Sequence, residues 1–224
     1  MPSKGRVREA YEAIAESYAV ARRDPWPEVL AFADRLPRAS TIVDLGCGHG
    51  RHIGPLAARG HRVLGLDFSP SLLALGRRAA SPQPWADRVR WVLGEATRLP
   101  FRDRVARACL CIAVLHHLPS GEDRLRCLAE ARRVLRPGGR VLVSVWALDQ
   151  PRFEGLLRER QSVPVESRGD VEIPWPLPDG TSVPRYYHLF QAGELERMII
   201  ESGLRGETFF ESSGNYFAEA SRLG

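Results

Sequence analysis

A glycine run flanked by two carboxylates is the part of this chain whose residue types and spacing could do chemistry. Thr41–Gly50 reads T-I-V-D-L-G-C-G-H-G: a short apolar run, then Asp44, then Gly46, Gly48 and Gly50. Glycines at a strand-to-helix turn let the backbone take positive φ and let a ligand approach where a Cβ would collide. One helix and one strand later, the run Arg62–Leu66 ends in Asp67. A carboxylate there can accept hydrogen bonds from both hydroxyls of a ribose. Together these residues mark a site for a nucleoside cofactor. A dinucleotide fingerprint requires G-x-G-x-x-G, with a pyrophosphate on a helix N-terminus. Here the third glycine comes one residue early, and Asp44 stands just before the turn. That carboxylate would repel a pyrophosphate and suits an ammonium group.

An ammonium and a ribose on one ligand describe S-adenosylmethionine. At this point the chain resembles the class I S-adenosylmethionine-dependent methyltransferases, whose first motif is similar to Val43–Gly50. The resemblance continues at Gly94-Glu95-Ala96-x-x-Leu99-Pro100-Phe101, similar to the family's third motif, where an acid and the following backbone meet the adenine. Family members usually carry Asp where this chain has Glu95; Glu makes the same bond if the loop retreats by about a methylene. The resemblance implies cofactor contacts at Asp44, Gly46, Cys47, Gly48, Gly50, Asp67, Phe68, Glu95, Ala96 and Ile112. S-adenosylhomocysteine is the implied product. Arg107 stands where relatives often place Asp and receives no role.

Four further segments narrow the resemblance. They are Tyr11-x-x-Ile14-Ala15 with Arg23-x-x-Trp26-Pro27, then Ile112–His117, Val145–Gln150 and Arg185–Phe190. In this order they look like the tRNA wobble-uridine carboxymethyl methyltransferases, including the methyltransferase domain fused to an AlkB-type RNA hydroxylase. The implied reaction esterifies the carboxylate of 5-carboxymethyluridine in a tRNA anticodon loop. That carboxylate is ionised near neutral pH, so no strong general base is needed, and alignment with limited water carries the catalysis. The residues for the reacting group are then His116, Arg185, Tyr186 and His188, with Arg185 as the fork for a carboxylate or phosphate. Substrate contacts fall to Arg23, Arg51, His52, His117, Trp146, Gln150 and Tyr187. Tyr186, Tyr187 and His188 are also candidates to stack on a displaced base, and a tryptophan ending a central strand equally suits the core. The resemblance further implies a small zinc-binding activator protein, for which Val89, Trp91 and Val92 are the surface candidates.

The elements that must position these groups alternate. Strands are expected ending near Leu45, over Arg62–Leu66, Val89–Leu93, Ala108–Val114 and Arg140–Trp146. Helices are expected between them: one running to about Arg59, one capped by Ser69 or Asp67 with Pro70 in its first turn, and one over Gly121–Leu135. This rhythm is that of an α/β, Rossmann-like, mostly parallel sheet. Gly206–Glu211 and Asn215–Ala220 would give it an antiparallel C-terminal edge. A single domain over 1–224 is expected, with a helical lid or collar at 1–38 and a proline-interrupted insertion at 149–190 that selects substrate.

Charge and composition bound the partners. The net charge is +5, and Arg77–Arg107 alone carries eight arginines against three acids. Such a balance permits nucleic acid without identifying it. No apolar run is long enough to cross a membrane, the N-terminus lacks a signal-peptide core, and a cytoplasmic protein is expected. Cys47, Cys109, Cys111 and Cys127 are not spaced as metal ligands, and no metal is expected. A small-molecule carboxyl or other O-methyltransferase is the alternative within methyl transfer. An inactive cofactor-binding subunit conflicts with the intact glycines and acids, and a nicotinamide oxidoreductase with the glycine spacing.

Overall fold

Strands that read as unbroken apolar runs are buried when they pair side by side under helices on both faces. The computed structural model shows this arrangement and describes residues 3–160, 162–164 and 167–224. β1 (Thr41–Leu45), β2 (Arg62–Asp67), β3 (Val89–Leu93), β4 (Ala106–Ile112) and β5 (Leu135–Trp146) run parallel. β6 (Asp170–Pro176) and β7 (Ser182–His188) form a separate antiparallel hairpin, and β8 (Arg205–Ser212) and β9 (Asn215–Ser221) complete the main sheet. Its seven strands follow the order β3-β2-β1-β4-β5-β9-β8, with β9 antiparallel to β5. Side-chain alternation splits the core in two. Ile42, Val63, Ala108 and Leu110 face α2 (Pro27–Asp34) and α3 (Ile53–Ala58). Val43, Leu45, Cys109 and Cys111 face α5 (Gly121–Val134), beside Leu195 and Ile199 of α7 (Glu194–Glu201). Among the described residues no helix is long and apolar enough to cross a membrane.

Local chemistry sets the helix starts. Ser69 caps α4 (Pro70–Ala80) by accepting the Leu72 N–H, with Pro70 in the first turn, where its missing N–H costs nothing. Glu12 of α1 (Lys4–Ala21) accepts from the Ser69 and Ser71 hydroxyls and from the Ser71 N–H. That clasp lays α1 across the C-terminal ends of the central strands.

Three stretches differ from the expectation, the first being β5, which begins at Leu135 rather than Arg140 because Leu135 already pairs with Ala106. β4 covers Ala106–Ile112 rather than 108–114, because Ala113 takes φ 59° and leaves the sheet, its N–H donating to the carbonyl and hydroxyl of Ser144. Within 149–190, read as an irregular insertion, β6 and β7 pair over seven residues with Pro174 opposite Pro184. Prolines are tolerated there because both strands are edges. An isolated two-stranded ribbon is marginal alone. Here Trp175 and Tyr186 pack on Val7, Tyr11 and Ile14 of α1, and the Trp175 indole donates to the Ser17 hydroxyl at 2.9 Å.

Candidate active site

The ends of β1, β2 and β4 open into a cleft holding about 900 Å³ of empty space, counted to its mouth. Of the residues expected to hold cofactor, Asp44, Gly46, Cys47, Gly48, Asp67, Phe68, Glu95, Ala96 and Ile112 line it. Val7, Tyr11 and Tyr18 of α1 form its roof. Gly48 has φ 57°, and a Cβ there would enter open space, so its backbone is the surface a ligand meets. The Asp67 carboxylate accepts the Gly48 N–H at 2.7 Å and the Ser69 N–H at 2.9 Å, which fixes it at the end of β2. Burial raises its pKa to about 6 against those two bonds. Asp44 is more isolated: burial pushes it to about 7, and its Oδ2 is buried without a hydrogen-bond partner. An orphan carboxylate oxygen in a cleft wall asks for a cation. The loop carrying Glu95 is held from behind. Glu130 accepts the Leu99 N–H at 2.6 Å, and Arg133 donates to the carbonyls of Leu99 and Phe101. The donor set thus fits S-adenosylmethionine: Asp44 for the ammonium, Asp67 for the ribose, and the Glu95–Ala96 loop for the adenine.

A second chamber, about 360 Å³ of empty space with its open mouth included, lies beside the cleft and shares Tyr11, Tyr18, Arg51, Ala113 and His117 with it. Arg22, Arg51 and Arg185 line this chamber together with His116, Trp146 and Tyr187, and among the described residues no carboxylate does. Arg185 is buried; its Nη1 donates to the Tyr187 hydroxyl at 2.6 Å, its guanidinium lies 4.7 Å from the Trp175 ring, and its Nε has no partner. Among the described residues none of the three arginines forms an ion pair.

The histidines can be read as tautomers. His117 Nδ1 faces the Tyr186 carbonyl at 3.1 Å and must donate, so Nε2 accepts from the Tyr11 hydroxyl at 2.7 Å. Burial lowers its pKa to about 3. His116 Nδ1 accepts the Trp146 N–H at 3.2 Å, which leaves the proton on Nε2, and burial holds this ring neutral too. Burial also pushes the Tyr187 phenol up to about 12. Among the described residues of the chamber, the acceptor nitrogens of both histidines are therefore already engaged.

Three comparisons bear on this geometry. Residues 43–143 match the family model described as a methyltransferase domain. A tRNA (carboxymethyluridine(34)-5-O)-methyltransferase of Arabidopsis thaliana is 36% identical over 150 residues, 66% of this chain and 34% of that protein. One of Schizosaccharomyces pombe is 29% identical over 218 residues, 88% of this chain and 87% of that protein. A solved S-adenosylmethionine-dependent methyltransferase of Methanosarcina mazei shares the fold, with a TM-score of 0.75 at 20% identity over 89% of this chain and 99% of that one. This chain is a class I S-adenosylmethionine-dependent methyltransferase. It spans 20% of the matched mouse relative and 40% of the matched Xenopus tropicalis relative.

The methyltransferase does not bring every expected residue to these cavities. Gly50 is off the cleft: with φ 85° it packs on Trp91, whose ring would lie 2.3 Å from an added Cβ. His52, expected at the substrate, lines the first cleft and not the second chamber. Arg23 is exposed and donates to the Val20 carbonyl, and Gln150 donates to the Ala147 carbonyl at 2.7 Å. Tyr186 and His188 point away from the chamber because alternate β7 residues face opposite sides. The Tyr186 hydroxyl donates to Asp170, and the His188 ring is clamped between Asp170 and Glu194 at 2.8 and 2.7 Å. Burial pushes the His188 pKa down, but the two carboxylates prevail and raise it. The sequence reading passed over His49, which lines the cleft with both ring nitrogens buried and unpartnered. Its position as the spacer of G-x-G-x-G gave no signal.

Proposed function

We propose that this methyltransferase esterifies the carboxylate of 5-carboxymethyluridine at the wobble position of tRNA. The observation that carries the reading is the three-arginine chamber, in which no described residue is an acid and the acceptor nitrogens of both histidines are already engaged, and which shares a wall with the cofactor cleft. A nucleophile held there by arginines is favoured if it is anionic on arrival, as a carboxylate is at neutral pH. The relatives named for carboxymethyluridine methylation agree with that chemistry. S-adenosylmethionine, when bound, supplies an electrophilic methyl group whose sulfur leaves with its bonding pair, so esterifying a carboxylate moves no proton. Arg185 offers two directed N–H groups to a carboxylate, and His116 offers Nε2–H. Arg51, on the shared wall, holds the anion toward the cleft. Tyr11 and His117 close the partition and limit water between the ligands.

Residues 1–38 serve as the lid and 149–190 as the insertion that walls the chamber. The activator partner is assigned to the free edge of β3. The archaeal fold neighbour from Haloferax volcanii, solved with a Trm112 methyltransferase activator at TM-score 0.68 and 16% identity, supports that kind of partner. Val89 is buried and Trp91 is packed on Gly50, so strand backbone rather than these side chains is the contact.

The test incubates the protein, with and without the activator, with labelled S-adenosylmethionine and tRNA bearing 5-carboxymethyluridine, and resolves the nucleosides by mass spectrometry. A base-labile methyl ester on the wobble uridine is expected, and none with Asp67→Asn. Failure by folded, cofactor-binding protein with its partner overturns the substrate. Equal rates on RNA and free nucleoside would favour a small-molecule carboxyl methyltransferase.

A further inference from the structure

This inference rests on the substrate reading above and adds a seat for the base. Trp146, at the end of β5, lines the anion chamber. Tyr187 stacks on its ring, with centroids 4.6 Å apart and planes at 23°. The Arg152 guanidinium lies 4.4 Å from the same ring centroid. Both groups therefore lie against the same indole. Arg152 also lies 4.6 Å from the Phe153 ring, is exposed, and makes no ion pair among the described residues. A solvated guanidinium held only by aromatic contacts is weakly held. It is also flat and π-faced, with the thickness of a nucleobase.

We propose that the slot between Trp146 and Phe153 seats the substrate's nucleobase, and that Arg152 is a placeholder the base displaces. The ligand class is a planar base carrying a short anionic arm. The base takes the place of the Arg152 guanidinium against Trp146 while the arm enters the chamber toward Arg185. Trp146 is therefore a specificity-determining residue, because it selects a carboxylate attached to an aromatic ring.

The experiment measures binding to protein loaded with S-adenosylhomocysteine, so that it does not depend on turnover. Two anticodon stem-loops are compared, one with 5-carboxymethyluridine and one with its 5,6-dihydro form, which keeps the arm and loses the planar ring. The planar base should bind tighter by about tenfold or more. Trp146→Leu should erase that preference and Trp146→Phe should retain most of it. Phe153→Leu, outside the main sheet, should reduce it even if Trp146→Leu folds poorly. Arg152→Ala should keep the preference and tighten binding of the planar base. Equal affinity for the two RNAs, a preference that survives Trp146→Leu, or its loss in Arg152→Ala overturns the proposal. A Trp146-dependent preference without any methyl ester supports the base seat and sinks the wobble-carboxylate reaction. Methyl ester formation without a preference does the reverse.

Discussion

The two neighbouring cavities share a wall and differ in charge. The cofactor cleft carries Asp44, Asp67 and Glu95 beside Lys4 and the shared Arg51, whereas the neighbouring chamber carries Arg22, Arg51 and Arg185 and, among the described residues, no acid. Under the proposed reaction, a sulfonium cofactor with an ammonium tail and an anionic acceptor would each meet the sign they need. Holding charges of opposite sign apart until both ligands arrive also avoids an internal ion pair that would neutralise both sites. Asp44 illustrates this: Arg51 lowers its pKa only in part, and burial still leaves it near 7. The difference teaches that the two halves of the reaction centre can be perturbed separately.

The largest separable effect is expected at Asp67. Replacing it with Asn weakens charge-assisted bonds to two backbone N–H groups and to the ribose. S-adenosylhomocysteine affinity, read by calorimetry, should fall on the order of 100-fold; an unchanged affinity would break the assignment of the cleft. Arg185→Lys comes next. It keeps the charge but loses the fork, so kcat/KM should drop roughly tenfold or more while cofactor affinity stays constant. A loss of cofactor binding instead would mean that the cavities are not separate. The third effect is in pH. Asp44 has its pKa raised to about 7, and a cationic ligand prefers its ionised form. Cofactor affinity should therefore fall as pH drops through about 7, by up to about tenfold per unit, and Asp44→Asn should flatten the profile. The smallest effect lies outside both cavities, at His188. Its raised pKa stabilises the fold fully below about 6.5, and that contribution is lost as pH rises through the folded value. His188→Gln should cost about 1–3 kcal/mol near pH 6, read by denaturant melts, with a smaller deficit in alkali. A cofactor affinity that changed with it would tie the clamp to the cleft.

Legibility also divided along this line. The cofactor cleft is built from residues near one another in sequence, so glycine spacing and two strand-ending acids disclosed it. β1, β2 and β3 were readable from apolar runs with clear punctuation. The chamber draws on Arg22, Arg51, His116, Trp146 and Arg185, which no local period connects. Their meeting depends on the β6–β7 hairpin, which its prolines concealed. The same hairpin decided β7 by alternation: Arg185 and Tyr187 reach the chamber while Tyr186 and His188 turn away, a parity the block R-Y-Y-H could not reveal without its partner strand. Gly50 and His49 show the converse error. A glycine within a ligand motif was making room for Trp91, and the spacer beside it faced the cleft.

The His117 ring ties the roofing helix to the walling hairpin, since one nitrogen takes the Tyr11 hydroxyl and the other holds the Tyr186 carbonyl. An imidazole with both edges committed makes the timing of ligand entry a property of one hinge pin. If the roof must lift to admit the cofactor, the acceptor's wall loosens with it, and the acceptor gains its firm hold only after the roof has settled. The expected kinetics are compulsory-order, with S-adenosylhomocysteine competing against the methyl donor and not against the methyl acceptor. His117→Phe, which releases both ties, should turn that order random.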